Sequence, residues 1–220
     1  MAGVTVVSAE SVDVVTTAQI KSNLRIASSD STHDTQIEIC RDASISVAKE
    51  YLQKSLMNRT LKLSLDNIPF ADSILPQKEG VTTGPFLEYR QRSVTLPFSP
   101  LVSVSSVKTF DDSDNETTMA SSRYFVDTSS EYGRVVLRTG ETWDDMLRVA
   151  NAIEITYVAG YGSIATSVPA GIRQGIIVLA SHFFENPEMT LRGENVTTIP
   201  TLVNSLWKPF RNMRFGVGLG

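Results

Sequence analysis

The stretch IEITYVAGYGSIATSVPAGIRQGIIVLASHFFEN, from Ile153 to Asn186, decides how this chain is read. Apolar and polar residues alternate through Ile153, Glu154, Ile155, Thr156 and Tyr157, the period of a half-buried strand. Gly160 and Gly162 follow and predict a tight turn through backbone conformations that Cβ-bearing residues avoid. Ser167 and Pro169 supply a helix start, a capping side chain followed by proline in the first turn. Ile172, Ile176, Leu179 and Phe183 then recur at helical spacing, while Ile177, Ala180 and Phe184 line a second flank. Asn186-Pro187 ends the helix, because proline disfavours helical backbone in the residue before it. A helix with two apolar flanks must bury both. One flank is expected to pack inside its own domain and the other against a neighbouring subunit.

Upstream, the pattern is that of a sheet. Leu61 to Asp66 alternates cleanly, and Val94 and Leu96 begin a strand series. Val102 and Val104 share a face, but the next apolar residue on the pattern is Val107, so Ser105-Ser106 predicts a β-bulge. Asp111 to Glu116 reads as a hairpin turn, with Tyr124-Phe125-Val126 and Val135-Val136-Leu137 as later strands. Gly133 helps the turn between them, and Trp143 is expected to cap an open end of the sheet. Between Leu65 and the strand series lies a connection from Asn67 to Arg92, with three prolines and two glycines and no sustained period. Its length predicts a functional docking loop, with a short strand inside Phe86 to Tyr89; a disordered surface insertion is the alternative.

Helical patterns flank this block. Met1 to Val15 reads as an extended arm whose Val4, Val6 and Val7 suit an edge strand. Thr16 or Thr17 caps a short helix carrying Ile20, Leu24 and Ile26. A second helix, from about Thr32 to Leu56, follows a 3.6-residue period through Ile37, Ile39 or Cys40, Ala43 or Ser44, Val47 and Tyr51. Glu38, Arg41, Asp42 and Lys49 are expected to face water. After a polar segment, Glu188 to Thr198, Pro200 opens a final helix with Leu202 or Val203, Leu206, Trp207 and Phe210 on its apolar face. The fold class is therefore α+β. It is a helical bundle, made of an N-terminal pair, the long helix and the final helix, with an inserted antiparallel β-sheet or sandwich. The expected divisions are an arm at 1–16, helices at 17–58, a β-rich insertion at 59–162, helices at 163–212 and a glycine-rich tail at 213–220.

Composition narrows the function classes. The chain has 220 residues, 41% hydrophobic and 20% charged, in the range of an ordinary globular protein. A net charge of -4 gives no electrostatic drive towards nucleic acid. The single cysteine, Cys40, cannot close an internal disulfide and fits a reducing compartment. No apolar run approaches the roughly 20 residues a membrane span needs, and the N-terminus lacks the basic and apolar pattern of a signal peptide.

A search for chemistry finds no enzyme. Asp112, Asp114 and Glu116 alternate as calcium ligands do, but the glycine and the distal glutamate of such a loop are missing, so a solvated hairpin tip is preferred. His182 has no nucleophile or triad partner within view and reads as an interface or core residue. Cys40 is a small buried hydrophobe. Gly160 and Gly162 are not followed by the Lys-Ser/Thr pair of a phosphate loop. No cofactor or metal is expected. Arg173 sits at an unfavourable helix end and calls for an acidic neighbour or a bond across a subunit boundary.

Taken together, Tyr157 to Gly162, Val168-Pro169, Ile172-Arg173-Gln174 and the apolar helix resemble the head–tail connector (adaptor) proteins of long-tailed bacteriophages and gene transfer agents. The resemblance extends to Leu96 to Leu101 with Val104 and Val107, and to Ile199-Pro200, Val203, Leu206 and Pro209-Phe210-Arg211. It spans most of residues 17 to 212; each piece alone is weakly specific, and the order and spacing carry it. It implies a structural role in the virion neck, in a ring of twelve copies below the portal. Such a ring extends the channel for double-stranded DNA without binding it specifically, and joins the portal to a stopper or tail-completion protein. Pro169, Ile172, Arg173, Ile176, Ile177, Leu179, Ala180, Phe183 and Phe184 would then form the subunit interface. Trp207, Lys208, Phe210, Arg211, Arg214 and Phe215 would dock on the portal, although Lys208, Arg211 and Arg214 read by themselves fit a helix C-terminus taking favourable cations, ahead of a contact to DNA phosphates or an acidic surface. The compact members of the family are mostly helical, so the β-block departs from their pattern. A β-rich tail-completion or fibre-attachment protein is the alternative that the β-block keeps open.

Overall fold

The computed structural model describes residues 2–10, 12–66, 92–130, 132–143, 147–187 and 200–212. The expected docking loop at 67–92 (except Arg92), its strand at Phe86 to Tyr89, the polar segment at 188–198 and the tail at 213–220 lie outside these residues. The fold is α+β: the described residues form four α-helices and two antiparallel sheets, of five and three strands. They fall into two compact units, and the chain passes between them at Ala9/Glu10, Arg59/Thr60 and Ala159/Gly160.

The strand-rich unit is built from β1 (Ala2–Ser8), β2 (Arg59–Leu65), β3 (Ser93–Thr95), β4 (Leu101–Phe110), β5 (Glu116–Thr118), β6 (Tyr124–Asp127), β7 (Arg134–Leu137) and β8 (Ile153–Ala159). The five-stranded sheet runs β1-β2-β8-β4-β5 and the three-stranded one β3-β7-β6. Alternation decides which face is buried. Leu61, Leu63 and Leu65 of β2 and Ile153, Ile155, Tyr157 and Ala159 of β8 all enter one core. Trp143 joins them at 2% exposure, inside the unit's core. Tyr157 keeps its hydroxyl satisfied by donating to the Pro97 carbonyl at 2.9 Å.

The opposite face of the larger sheet carries a row of alternating charge. Lys62 pairs with Glu154 at 3.2 Å, Glu154 lies directly across from Lys108, and Lys108 reaches Glu116 at 2.6 Å. The predicted bulge is present. Val104 is paired with Tyr157 and Ser106 with Thr156, so the register shifts at Ser105. A second irregularity at Val102 has no sequence signature. Residues 1–16, read as an arm, hold β1 and two buried valines, Val14 and Val15.

Two acidic turns organise the hairpins. Asp111 accepts from the Ser113 and Asn115 amides at 2.9 and 2.8 Å and from the Asn115 side chain at 2.9 Å. Its carboxylate thus closes its own turn, as an Asx motif does. Asp127 ends β6 and accepts from the Ser130 hydroxyl at 2.6 Å, the Ser129 hydroxyl at 2.7 Å and Arg134 Nε at 2.9 Å. The serine hydroxyls first, then the Arg134 guanidinium, hold this carboxyl far below its usual 3.8. A carboxyl depressed in the folded state contributes stability above its unfolded value and loses it as pH falls through its folded value. Asp127→Ala is therefore expected to lower Tm at neutral pH. The gap to wild type should stay constant down to about pH 5 and shrink below the usual 3.8. Parallel melts from pH 7 to pH 2 check this, and a gap that widens in acid contradicts it.

The helical unit holds α1 (Thr17–Leu24), α2 (Asp34–Leu52), α3 (Ala170–Glu185) and α4 (Thr201–Trp207). Thr16 caps α1 in a reciprocal box with Gln19. Lys21, 5% exposed, donates to the Asp30 carbonyl at 2.7 Å and pairs with Asp34, tying α1 to the start of α2. Pro169, rather than Ser167, stands at the N-cap of α3, and no side chain caps that end. Asn186 closes the far end, donating to the His182 carbonyl at 3.1 Å. α3 is central: α1, α2 and α4 all pack on it. Among the described residues, no helix is long and apolar enough to cross a membrane.

Candidate assembly interfaces

The apolar positions of α3 divide by exposure. Ile172, Ile176, Leu179 and Ala180 are 0% exposed and belong to the core of their own unit. Ile177, Phe183 and Phe184 are only half-buried at its edge. A side chain without exposed surface has none to offer a second subunit, so the first four serve the fold. Pro169 and Arg173 are also half-buried. Arg173 Nε donates to the Val168 carbonyl at 3.1 Å, which ties the residue to the entry of its own helix.

The C-terminal helix docks through small residues that sequence patterning had not singled out. Gly171 and Gly175 sit four apart on α3, and a Cβ on either would press on α4 and the turn after it. At Gly175 it would meet the Trp207 indole, and at Gly171 the Phe210 ring at 3.0 Å. Trp207 fills this groove at 0% exposure and donates Nε1–H to the Ile172 carbonyl at 3.2 Å. Two glycines one turn apart in an otherwise apolar helix were the available clue. Trp207 is thus a core residue of the unit. Lys208 and Arg211 are exposed, and Arg211 lies over the Tyr51 ring at 5.0 Å. Phe210 is half-buried, while Arg214 and Phe215 fall outside the described residues.

The turn before α3 is fixed by close approach. Gly160 has φ +149°, and a Cβ there would lie less than 3.0 Å from the Met57 carbonyl and the Asn58 nitrogen. The Asn58 amide donates to the Gly162 carbonyl at 2.9 Å, and the Tyr161 amide to Leu56. Gly162, at φ +159°, makes room for the Ser167 side chain.

The charged groups where residues 10–13 meet α2 are paired off rather than poised. Arg41 Nη1 meets Asp13 at 3.0 Å and its Nε meets Asp42 at 2.9 Å, while Lys49 holds Glu10 at 2.6 Å. Arg41 and Lys49 therefore do not simply face water, as the helical pattern suggested; they strap residues 10–13 onto α2. These groups line an open cleft of about 380 Å³. Cys40 is buried, and loss of hydration raises its thiol above the usual 9.0, which leaves it inert. Among the described residues the His182 ring meets Phe183 and Asn186. Among the described residues no three His, Cys, Asp or Glu side chains are grouped to hold a metal.

No known protein family matches this sequence, and no curated protein is significantly similar to it. Solved structures, however, share its fold over nearly the whole chain. A chain in the neck of an empty gene transfer agent (GTA) particle, computed with C6 symmetry, superposes with a TM-score of 0.75 at 19% identity, covering 98% of each chain. A chain in the virion of a native GTA particle gives 0.70 at 19% identity, again over 98% of each. A chain in the neck of a native GTA particle, computed with C12 symmetry, gives 0.62 at 20% identity, over 96% of this chain and 98% of that one.

Proposed function

We propose that this chain is a structural subunit of the virion neck, an adaptor that assembles as a ring of twelve beneath the portal. The carrying observation is the fold shared over 98% of the chain with a GTA neck protein at a TM-score of 0.75. Relatives solved in necks with sixfold and twelvefold symmetry support a cyclic assembly. A ring needs a heterologous interface, with one patch of each copy meeting a different patch on the next. In this reading the half-buried edge of α3, at Ile177, Phe183 and Phe184, contributes to the ring wall. Lys208 and Arg211, exposed in the turn just after α4, dock on an acidic portal surface. The ring extends the DNA channel and presents its far face to a stopper or tail-completion protein, and the reading needs no catalysis.

Mixing the purified chain with its portal and imaging the product by cryo-electron microscopy tests the proposal. One adaptor per portal subunit is the expected result, and a chain that ignores the portal overturns it. The double variant Lys208→Glu with Arg211→Glu reverses two exposed charges. It is expected to weaken portal binding about 10- to 100-fold while leaving Tm within about 2 °C of wild type. Undiminished affinity would remove α4 from the docking surface.

A further inference from the structure

Among the described residues four strands stand at sheet edges: β1 and β5 in the larger sheet, β3 and β6 in the smaller. An edge strand offers a row of backbone groups to any passing strand, and proteins blunt such edges by shortness, charge or proline. β5 and β3 are three residues long, and β5 carries Glu116, whose carboxylate is paired with Lys108. β1 is different. It runs seven residues, AGVTVVS, with no charge and no proline.

Its side chains are also unfinished business for the core. Val4 lies opposite Leu63 and Val6 opposite Leu61, so both share the face of those buried leucines. Val4 packs on the core, but Val6 is 55% exposed and its neighbour Val7, at the register shift, 58%. The apolar face runs past the last strand of the sheet, and a further strand outside β1 would continue it.

β6 is the other unblunted edge. Between buried Tyr124 and Asp127 it presents Phe125, 54% exposed, opposite Val136 of β7. The one charge on β6, Asp127, is consumed by Ser129, Ser130 and Arg134. One chain thus bears two different edges whose single charged residue, Asp127, is already paired, each edge with an exposed large hydrophobe. That is what a heterologous, closing interface requires, since each copy must bring both halves of the joint.

We infer that β1 of one copy pairs with β6 of a second copy, Val6 and Val7 covering Phe125, so that sheets run on from subunit to subunit around the assembly. This rests on the ring reading and names its lateral joint. The bond is β-augmentation, in which main-chain hydrogen bonds supply affinity and the valine and phenylalanine supply register.

The test uses the full chain with Val6→Cys and Phe125→Cys together, each single variant as control, and buried Cys40 left in place. Assembled on the portal and oxidised with diamide, the double variant is expected to give a ladder of trimers and larger species on a non-reducing gel. Each single variant should stay monomeric. A dimer from Val6→Cys alone would mean that β1 pairs with β1, which overturns the inference. So would rings seen by electron microscopy that yield no ladder, and that outcome leaves the ring reading standing. A chain that stays single even on the portal removes both. Val6→Lys, which blunts the edge, is expected to weaken lateral association about tenfold or more with an unchanged melt. Unchanged association would also overturn the joint.

Discussion

Trp207→Ala is expected to destabilise the helical unit by about 3–5 kcal/mol, the usual cost of deleting a buried aromatic side chain. The indole is fully buried, fills the space left by Gly175 and donates to the Ile172 carbonyl. Removing it leaves a cavity between two helices and takes away the main anchor of α4 on α3. Val203 is the remaining fully buried residue of α4. The consequence should therefore be local first: amide protection falls across α4 and the facing part of α3 before the unit melts. Hydrogen exchange read residue by residue checks the pattern. Trp143 stays as the second tryptophan and reports on the strand-rich unit by fluorescence. A loss below about 1 kcal/mol would show that the site collapses around the gap and that the indole is not the anchor. Because the chain forms two units, the two signals need not melt together, and a single Tm is not assumed.

Gly160→Ala is expected to cost about 3 kcal/mol or more, from a residue that makes no side-chain contact at all. Two causes add. The backbone there holds φ +149°, which L-residues seldom adopt. The new methyl would also press on the carbonyl of Met57 and the nitrogen of Asn58, backbone atoms that have no rotamer to retreat into. Relief requires moving the chain between α2 and β2 away from the turn, which breaks the Asn58 to Gly162 hydrogen bond. Gly3→Ala is the matched control: nothing lies within 4 Å of the methyl it would add, and its effect should stay within about 0.5 kcal/mol. Chemical denaturation of both variants decides the matter. Equal, small losses would mean that the turn relaxes freely.

What the sequence made legible was periodic or chemically distinctive. The strand at Ile153, the alternation from Leu61, the bulge at Ser105, the Thr16 cap and the Asn186 stop each follow from residues near in sequence. What stayed hidden depends on partners far along the chain. The valines of β1 look like an edge strand, but nothing local says that it pairs with β2, more than fifty residues on. Arg41 and Lys49 sit on the polar side of a helical wheel, which cannot reveal Asp13 and Glu10 waiting opposite. The candidate site shows the same limit. An apolar face on α3 is plain from spacing, yet Ile172 and Ile177 look alike in sequence. Only the packing of α1, α2 and α4 around α3 separates core from edge.

The three passages of the chain between its units carry a mechanical meaning. Units joined by one linker transmit a pull through a single strand, which stretches as the linker straightens. Here a pull from one unit to the other divides among three covalent segments in parallel, at Ala9/Glu10, Arg59/Thr60 and Ala159/Gly160. Two of these segments enter β2 and leave β8, neighbours in the middle of one sheet, so the load reaches the centre of the sheet and not an edge strand. Any resistance to separation that this gives comes from the path of the chain alone, without an added contact.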